Sequence, residues 1–212
     1  MKRREFSMSL ALGGLGLSAG GLAKAQSAPV AGTQYIRLAQ PAPVSLPAGK
    51  KVEVVEFFWY ECPHCNDFEP VLDAWVAKLQ DDVAFRRVPV GFTARHQVAQ
   101  KAYYALEETG QLEALHNRVF AAIHVQGRRM LSEKAYADFV AANGGDAARF
   151  SEAFRSFSVN TKANRARQLS EAYKIDGVPA IGIQGRYYTS ASLAGGHARA
   201  LAVADYLINQ SR

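Results

Sequence analysis

The stretch Val52 to Cys65, reading Val-Glu-Val-Val-Glu-Phe-Phe-Trp-Tyr-Glu-Cys-Pro-His-Cys, constrains the fold more than any other. Its first seven residues are mostly β-branched or aromatic, side chains that suit a pleated surface, so Val52–Phe58 reads as a buried strand. Beyond it the apolar residues change to helical spacing: Phe68, Val71, Leu72, Trp75, Val76 and Leu79. A strand, a short turn and a helix place Cys62 at a helix N-terminus. Pro63 suits the first helical position, where an N–H would have no intrahelical partner. Cys65 lies three residues on, so both sulfurs share one face of the first turn. The chain has no other cysteine.

The 212 residues can bury a sizeable core in one or two domains, and a 49% hydrophobic, 21% charged composition is that of a soluble globular protein. Lys2, Arg3, Arg4 and Lys24 against Glu5 give residues 1–25 half of the chain's +6, so the remainder carries only +3. That charge is too small and scattered to argue for nucleic acid, and Arg86-Arg87 and Arg128-Arg129 read as solvated faces. Residues 1–25 read as an export signal: a basic start, a soft apolar run from Met8 to Leu22, and a small-x-small cleavage site at Ala23-Lys24-Ala25. With five glycines the run is too weakly apolar for a stable membrane span, and no cysteine follows it for lipidation. Arg3-Arg4-Glu5-Phe6 resembles the twin-arginine export motif, with the Sec route as the alternative. Either route leads to the periplasm.

Residues 26–50 form a loop-rich lead-in, with a short edge strand within Gln34–Leu38, and Val83–Val90 is a second core strand ended by Pro89. From about Ala94 to Phe157 only helices are expected: Gln97–Thr109, Leu112–His124, one capped by Ser132 and one capped by Asp146. In the last of these Phe150, Phe154 and Phe157 make a core stripe. A fifth helix covers Val159–Tyr173. Ile175–Ile183 reads as a loop entering a strand, Gln184-Gly185 then makes a tight hairpin turn into Arg186–Thr189, and His197–Asn209 closes the chain as an amphipathic helix.

Four roles compete for the cysteines. Structural zinc needs a second ligand pair that is absent, and covalent haem attachment needs histidine where Asn66 stands. A structural disulfide gains little from closing so short a loop. A redox-active dithiol remains, and Cys-x-x-Cys after a strand and at the start of a helix is a strong signal for it. The helix N-terminus favours thiolate at Cys62, and His64 can add a hydrogen bond or a positive charge. A fall in pKa from about 8.5 to about 5.5 would stabilise the reduced form by roughly 2 kcal/mol at pH 7, on the order of 45 mV towards a stronger oxidant.

Glu56-Phe57-Phe58, Cys62-Pro63-His64-Cys65, the helical stretch and Gly177-Val178-Pro179-Ala180 together resemble the DsbA family of periplasmic thiol:disulfide oxidoreductases, over nearly all of the chain beyond residue 25. The resemblance implies an α/β thioredoxin fold, a central mixed sheet flanked by helices, with an inserted all-helical domain. Its parts would be residues 26–94, the insertion 95–158, and 159–212. It implies Cys62 as nucleophile and Cys65 as its partner, preceded in the tetrapeptide by Pro63 and His64. Glu56 would be a buried acid under the site, with Glu53, on the opposite strand face, turned to water. Val178-Pro179 would form a cis peptide whose backbone pairs with substrate. No cofactor or metal is implied. Expected partners are reduced, unfolded exported proteins and a membrane DsbB-type, quinone-linked oxidase that restores the disulfide, with the protein itself a monomer. His96, His116, His124 and His197 have no evident tie to the dithiol.

Relatives often carry a small or apolar residue where this chain has Glu61, and an exposed carboxylate there should raise the Cys62 pKa modestly. A disulfide isomerase or reductase is the nearest rival, although residues 26–50 are too few for an isomerase's dimerisation domain. A peptide-binding chaperone with an incidental disulfide is the rival from another class.

Overall fold

The computed structural model describes residues 28–212, and the expected export signal lies outside them. Five strands, β1 (Ile36–Arg37), β2 (Val52–Phe58), β3 (Val83–Pro89), β4 (Ala180–Ile183) and β5 (Tyr187–Ser190), form one sheet ordered β1-β5-β4-β2-β3. β2 pairs parallel with β3 and antiparallel with β4, so the sheet is mixed. α1 (Pro63–Val76) makes the crossover between the parallel pair. Between β3 and β4 run α2 (Ala94–Glu108), α3 (Leu112–His124), α4 (Glu133–Ala142), α5 (Ala147–Arg155) and α6 (Phe157–Ala172), and α7 (Ala191–Ala194) and α8 (His197–Asn209) end the chain. None of these helices is long and apolar enough to cross a membrane.

All seven residues of β2 are buried, because both faces of the sheet are covered. On one side Val52 and Val54 pack with Phe68 and Leu72 of α1 and Leu201, Ala204 and Leu207 of α8. On the other, Val55 and Phe57 meet Tyr173 and join the core of α2 to α6. The hairpin forms as expected. Ile183 pairs with Tyr187, so three residues connect the strands and β5 begins one residue later than expected, and Gln184 and Gly185 adopt left-handed φ of 50° and 61°. Glycine is required at the second position, since a Cβ there would stand 2.3 Å from the Ala42 carbonyl oxygen.

Caps set the helix boundaries in the insertion. Ser132 Oγ accepts from the Ala135 N–H at 3.2 Å and Asp146 Oδ1 from the Arg149 N–H at 3.0 Å. Ser156 is a third cap: it ends α5 and its Oγ accepts from the Val159 N–H at 3.1 Å, starting α6 two residues before the expected helix. That break corrects the phenylalanine stripe. Phe150 and Phe154 are buried, but Phe157 falls in the next helix and is 88% exposed.

Two charge assignments also change. Glu53 is fully buried rather than turned to water. Its Oε1 accepts from Arg86 Nε at 2.9 Å and from the Ser45 N–H at 3.0 Å. Arg86 and Arg87 are ion-paired rather than solvated, because β3 lies beside β2 in a register that sets Arg87 opposite Glu56.

Candidate active site

β2 runs out at Phe58, and a tight turn delivers the chain into α1. The Cys62 N–H donates to the Trp59 carbonyl at 3.0 Å, and the Cys62 carbonyl accepts from the N–H groups of Cys65 and Asn66, both at 3.1 Å. Cys62 is the N-cap of α1 with extended backbone and Pro63 opens the helix. No side chain caps this end and its first turn holds no acid, so its N–H groups and positive pole are left to the Cys62 sulfur.

The two cysteines are unbridged and physically unequal. Cys62 is 8% exposed and Cys65 is sealed from solvent. A hydrogen bond from Cys65 is the largest influence lowering the Cys62 pKa to about 6. Burial opposes it, and the backbone N–H groups of Cys65 and His64 and the His64 charge add to it. Cys65 is driven far above the ordinary thiol range, by burial first and then by its hydrogen bond to Cys62 and the charge there. One sulfur is therefore a thiolate near neutral pH and the other stays a thiol.

The Cys62 thiol points at the Val178 carbonyl oxygen, 3.5 Å away, and the Val178–Pro179 peptide bond is cis. A cleft of about 500 Å³ opens beside them, lined by His64, Val178, Pro179, Tyr188, Leu193 and His197 among others. Cys62, Pro63, His64, Cys65, Val178 and Pro179 thus come together at one end of the sheet.

Glu56 is fully buried beneath them, on the α1 face of β2. Burial raises its pKa well above the usual carboxylate range, the Glu69 charge adds to this, and Arg87 opposes it. Arg87 Nε lies 3.0 Å from Glu56 Oε2, and its Nη2 reaches Glu69 at 2.8 Å and Asp73 at 2.6 Å. Burial alone would weaken the Arg87 charge, but these carboxylates hold it above even its usual range. The His116 Nε2 stands 3.5 Å from Glu69, and its Nδ1 shares a 2.8 Å hydrogen bond with the Tyr60 hydroxyl.

None of the other four histidines contacts the sulfurs, but each packs on a residue near them. His116 binds Tyr60, His124 Nε2 lies 2.8 Å from the Tyr60 carbonyl, and His96 stacks on Trp59 with centroids 4.1 Å apart. His197 packs on Phe68 at 4.9 Å. No local pattern could have revealed this, because the first three pairings span 56, 64 and 37 residues and are made only when the insertion docks. Glu61 differs from expectation too. Its side chain is 7% exposed and is forked by Arg95, with Nε at 2.8 Å from Oε2.

Comparison with known proteins agrees with this geometry. A model of the DSBA-like thioredoxin domain matches residues 78–207. The thiol:disulfide interchange protein DsbA of Burkholderia cepacia is 41% identical over 203 residues, spanning 96% of this chain and 95% of its own length. DsbA of Bordetella parapertussis is 44% identical over 180 residues, 84% of this chain and 85% of its own. The crystal structure of Pseudomonas aeruginosa DsbA superposes with a TM-score of 0.82 at 40% identity, covering 86% of this chain and 94% of that one. DsbA from Xylella fastidiosa gives 0.80 at 32% identity, covering 86% and 97%.

Proposed function

Since this chain belongs to the DsbA-like thioredoxin family and is a thiol:disulfide oxidoreductase, we propose that it acts as an oxidase, donating a Cys62–Cys65 disulfide to reduced, unfolded proteins after their export to the periplasm. The observation that carries this reading is the inequality of the two sulfurs. Cys62 has its pKa lowered to about 6 at the head of a helix, and Cys65 is sealed behind it.

The chemistry follows. A client thiolate attacks the Cys62 sulfur, the Cys62–Cys65 bond breaks, and Cys65 leaves with the electron pair. A buried thiolate is costly, so Cys65 takes a proton. Glu56, the buried acid whose pKa burial raises and whose charge is felt at Cys65, is the group that supplies it. A second client thiolate then attacks the client sulfur of the mixed disulfide, and Cys62 leaves as a thiolate stabilised by helix N–H groups and His64. The client loses two electrons and the protein ends as a dithiol. A membrane DsbB-type, quinone-linked oxidase accepts those electrons and restores the disulfide. The Val178 carbonyl, beside Pro179, receives the backbone of an extended client segment. The protein works as a monomer, with residues 26–94 and 159–212 as the thioredoxin parts and 95–158 as the inserted helical domain.

The test is mass spectrometry of reduced Cys62→Ser and Cys65→Ser proteins mixed with a disulfide-bonded client, whose own S–S bond breaks as any mixed disulfide forms. Cys65→Ser should accumulate mixed disulfides at Cys62, and Cys62→Ser should transfer nothing. Adducts at Cys65 in the Cys62→Ser protein, with none at Cys62 in the other, would reverse the assignment. An equilibrium potential against glutathione in the thioredoxin range of about −270 mV would make the protein a reductase instead.

A further inference from the structure

Glu61 stands directly before Cys62, where a carboxylate should oppose ionisation of the thiol. Its charge is nevertheless committed elsewhere. Arg95, in the first turn of α2, donates to Glu61 Oε2 from both Nε and Nη2. The Arg95 guanidinium also lies 5.6 Å from the Trp59 ring centroid, and its neighbour His96 stacks on the same ring. The start of α2 thereby grips the Trp59–Glu61 segment from two directions. A third neighbour is Tyr136 of α4, whose buried hydroxyl is made harder to ionise by burial and then by the Glu61 charge. The titratable groups that shift the Cys62 pKa are Cys65 and His64, both on α1. Burial holds the His96 pKa down, and it feels both members of the pair, Glu61 favouring its protonation and Arg95 opposing it.

We propose that Arg95 is a positioning residue for the redox chemistry: it draws the Glu61 carboxylate towards α2 and neutralises it, so that this charge does not oppose the Cys62 thiolate. The inserted helices would then help set the reactivity of a nucleophile carried on the sheet and α1. Glu61 and Arg95 act as a unit, and either one alone leaves the other's charge uncompensated. The inference rests on Cys62 being the reactive sulfur.

Arg95 is 60% exposed, so Arg95→Ala should fold. Its effect is read from the pH dependence of iodoacetamide alkylation of the reduced protein, with the modified cysteine identified by mass spectrometry. Arg95→Ala should raise the Cys62 pKa by roughly half a unit, about a threefold fall in the thiolate-to-thiol ratio, because the carboxylate of the preceding residue, Glu61, is left uncompensated. Arg95→Lys should stay close to the parent. In the Glu61→Gln/Arg95→Ala protein the rise should vanish, returning the value to that of Glu61→Gln alone. An unchanged pKa in Arg95→Ala overturns the proposal. So does a rise that persists in the double variant, which would mean that Arg95 acts on the sulfur directly. Alkylation falling on Cys65 overturns the assignment of the nucleophile itself, a failure distinct from these two.

Discussion

The lowered Cys62 pKa makes the stability of the reduced fold depend on pH in a way the oxidised fold does not share. Cys62 ionises near 6 in the folded dithiol, against about 8.5 for a cysteine in an unfolded chain. A lowered pKa stabilises the fold above the unfolded value and loses that contribution as pH falls through the folded one. At pH 7 the difference amounts to about 1.4 kcal/mol. That corresponds to about 30 mV towards a stronger oxidant. The raised pKa of Cys65 contributes nothing below about pH 8, because that thiol is protonated in both folded and unfolded states there. Glu56 destabilises the fold above the ordinary carboxylate range. That cost is common to oxidised and reduced protein in so far as its surroundings are the same, and cancels in the difference. Urea unfolding of both forms at pH 5, 6, 7 and 8, followed by tryptophan fluorescence, isolates the effect. The reduced-minus-oxidised difference should be flat below pH 6 and then rise by no more than about 1.4 kcal/mol per pH unit. A difference that stays flat or falls between pH 6 and 8 would refute the reasoning, because no thiolate would then be favoured by the fold.

Other perturbations test the scaffold. Arg87→Met leaves Glu56 and Glu69 buried without their cation and should destabilise the protein by about 3 kcal/mol at pH 7. That deficit should shrink as the pH falls and the cluster loses negative charge, and a pH-independent loss in urea titrations would point to packing instead. Gly182→Ala puts a methyl 2.6 Å from Tyr173 Cε1 and 3.1 Å from Phe57 Cε2, and overpacking of this kind should cost about 1–3 kcal/mol. An unshifted urea midpoint would mean that the Tyr173 ring yields freely.

The elements that depend on near neighbours were legible in the sequence. β2, α3 and α8 occupy the residues expected of them, because strand and helix periodicities are local. The dithiol was legible for the same reason. A strand, a turn and a helix in succession bring Cys62 to a helix N-terminus whatever the rest of the chain does. What remained hidden was every assignment settled by a distant partner. Glu53 reads as a surface residue on an alternating strand until residues 42–45 and Arg86 close over it. Arg87 reads as solvated until the parallel register of β2 and β3 and the acidic face of α1 surround it with carboxylates. Glu61 reads as an exposed like charge until Arg95 arrives from 34 residues away. Periodicity reports which face of an element is apolar, not which charge lies across from it. Local sequence set Cys62 and Cys65 at the head of α1, and the charges around them were decided by how the insertion and the sheet dock, since charge compensation inside a protein depends on distances that only the tertiary fold defines.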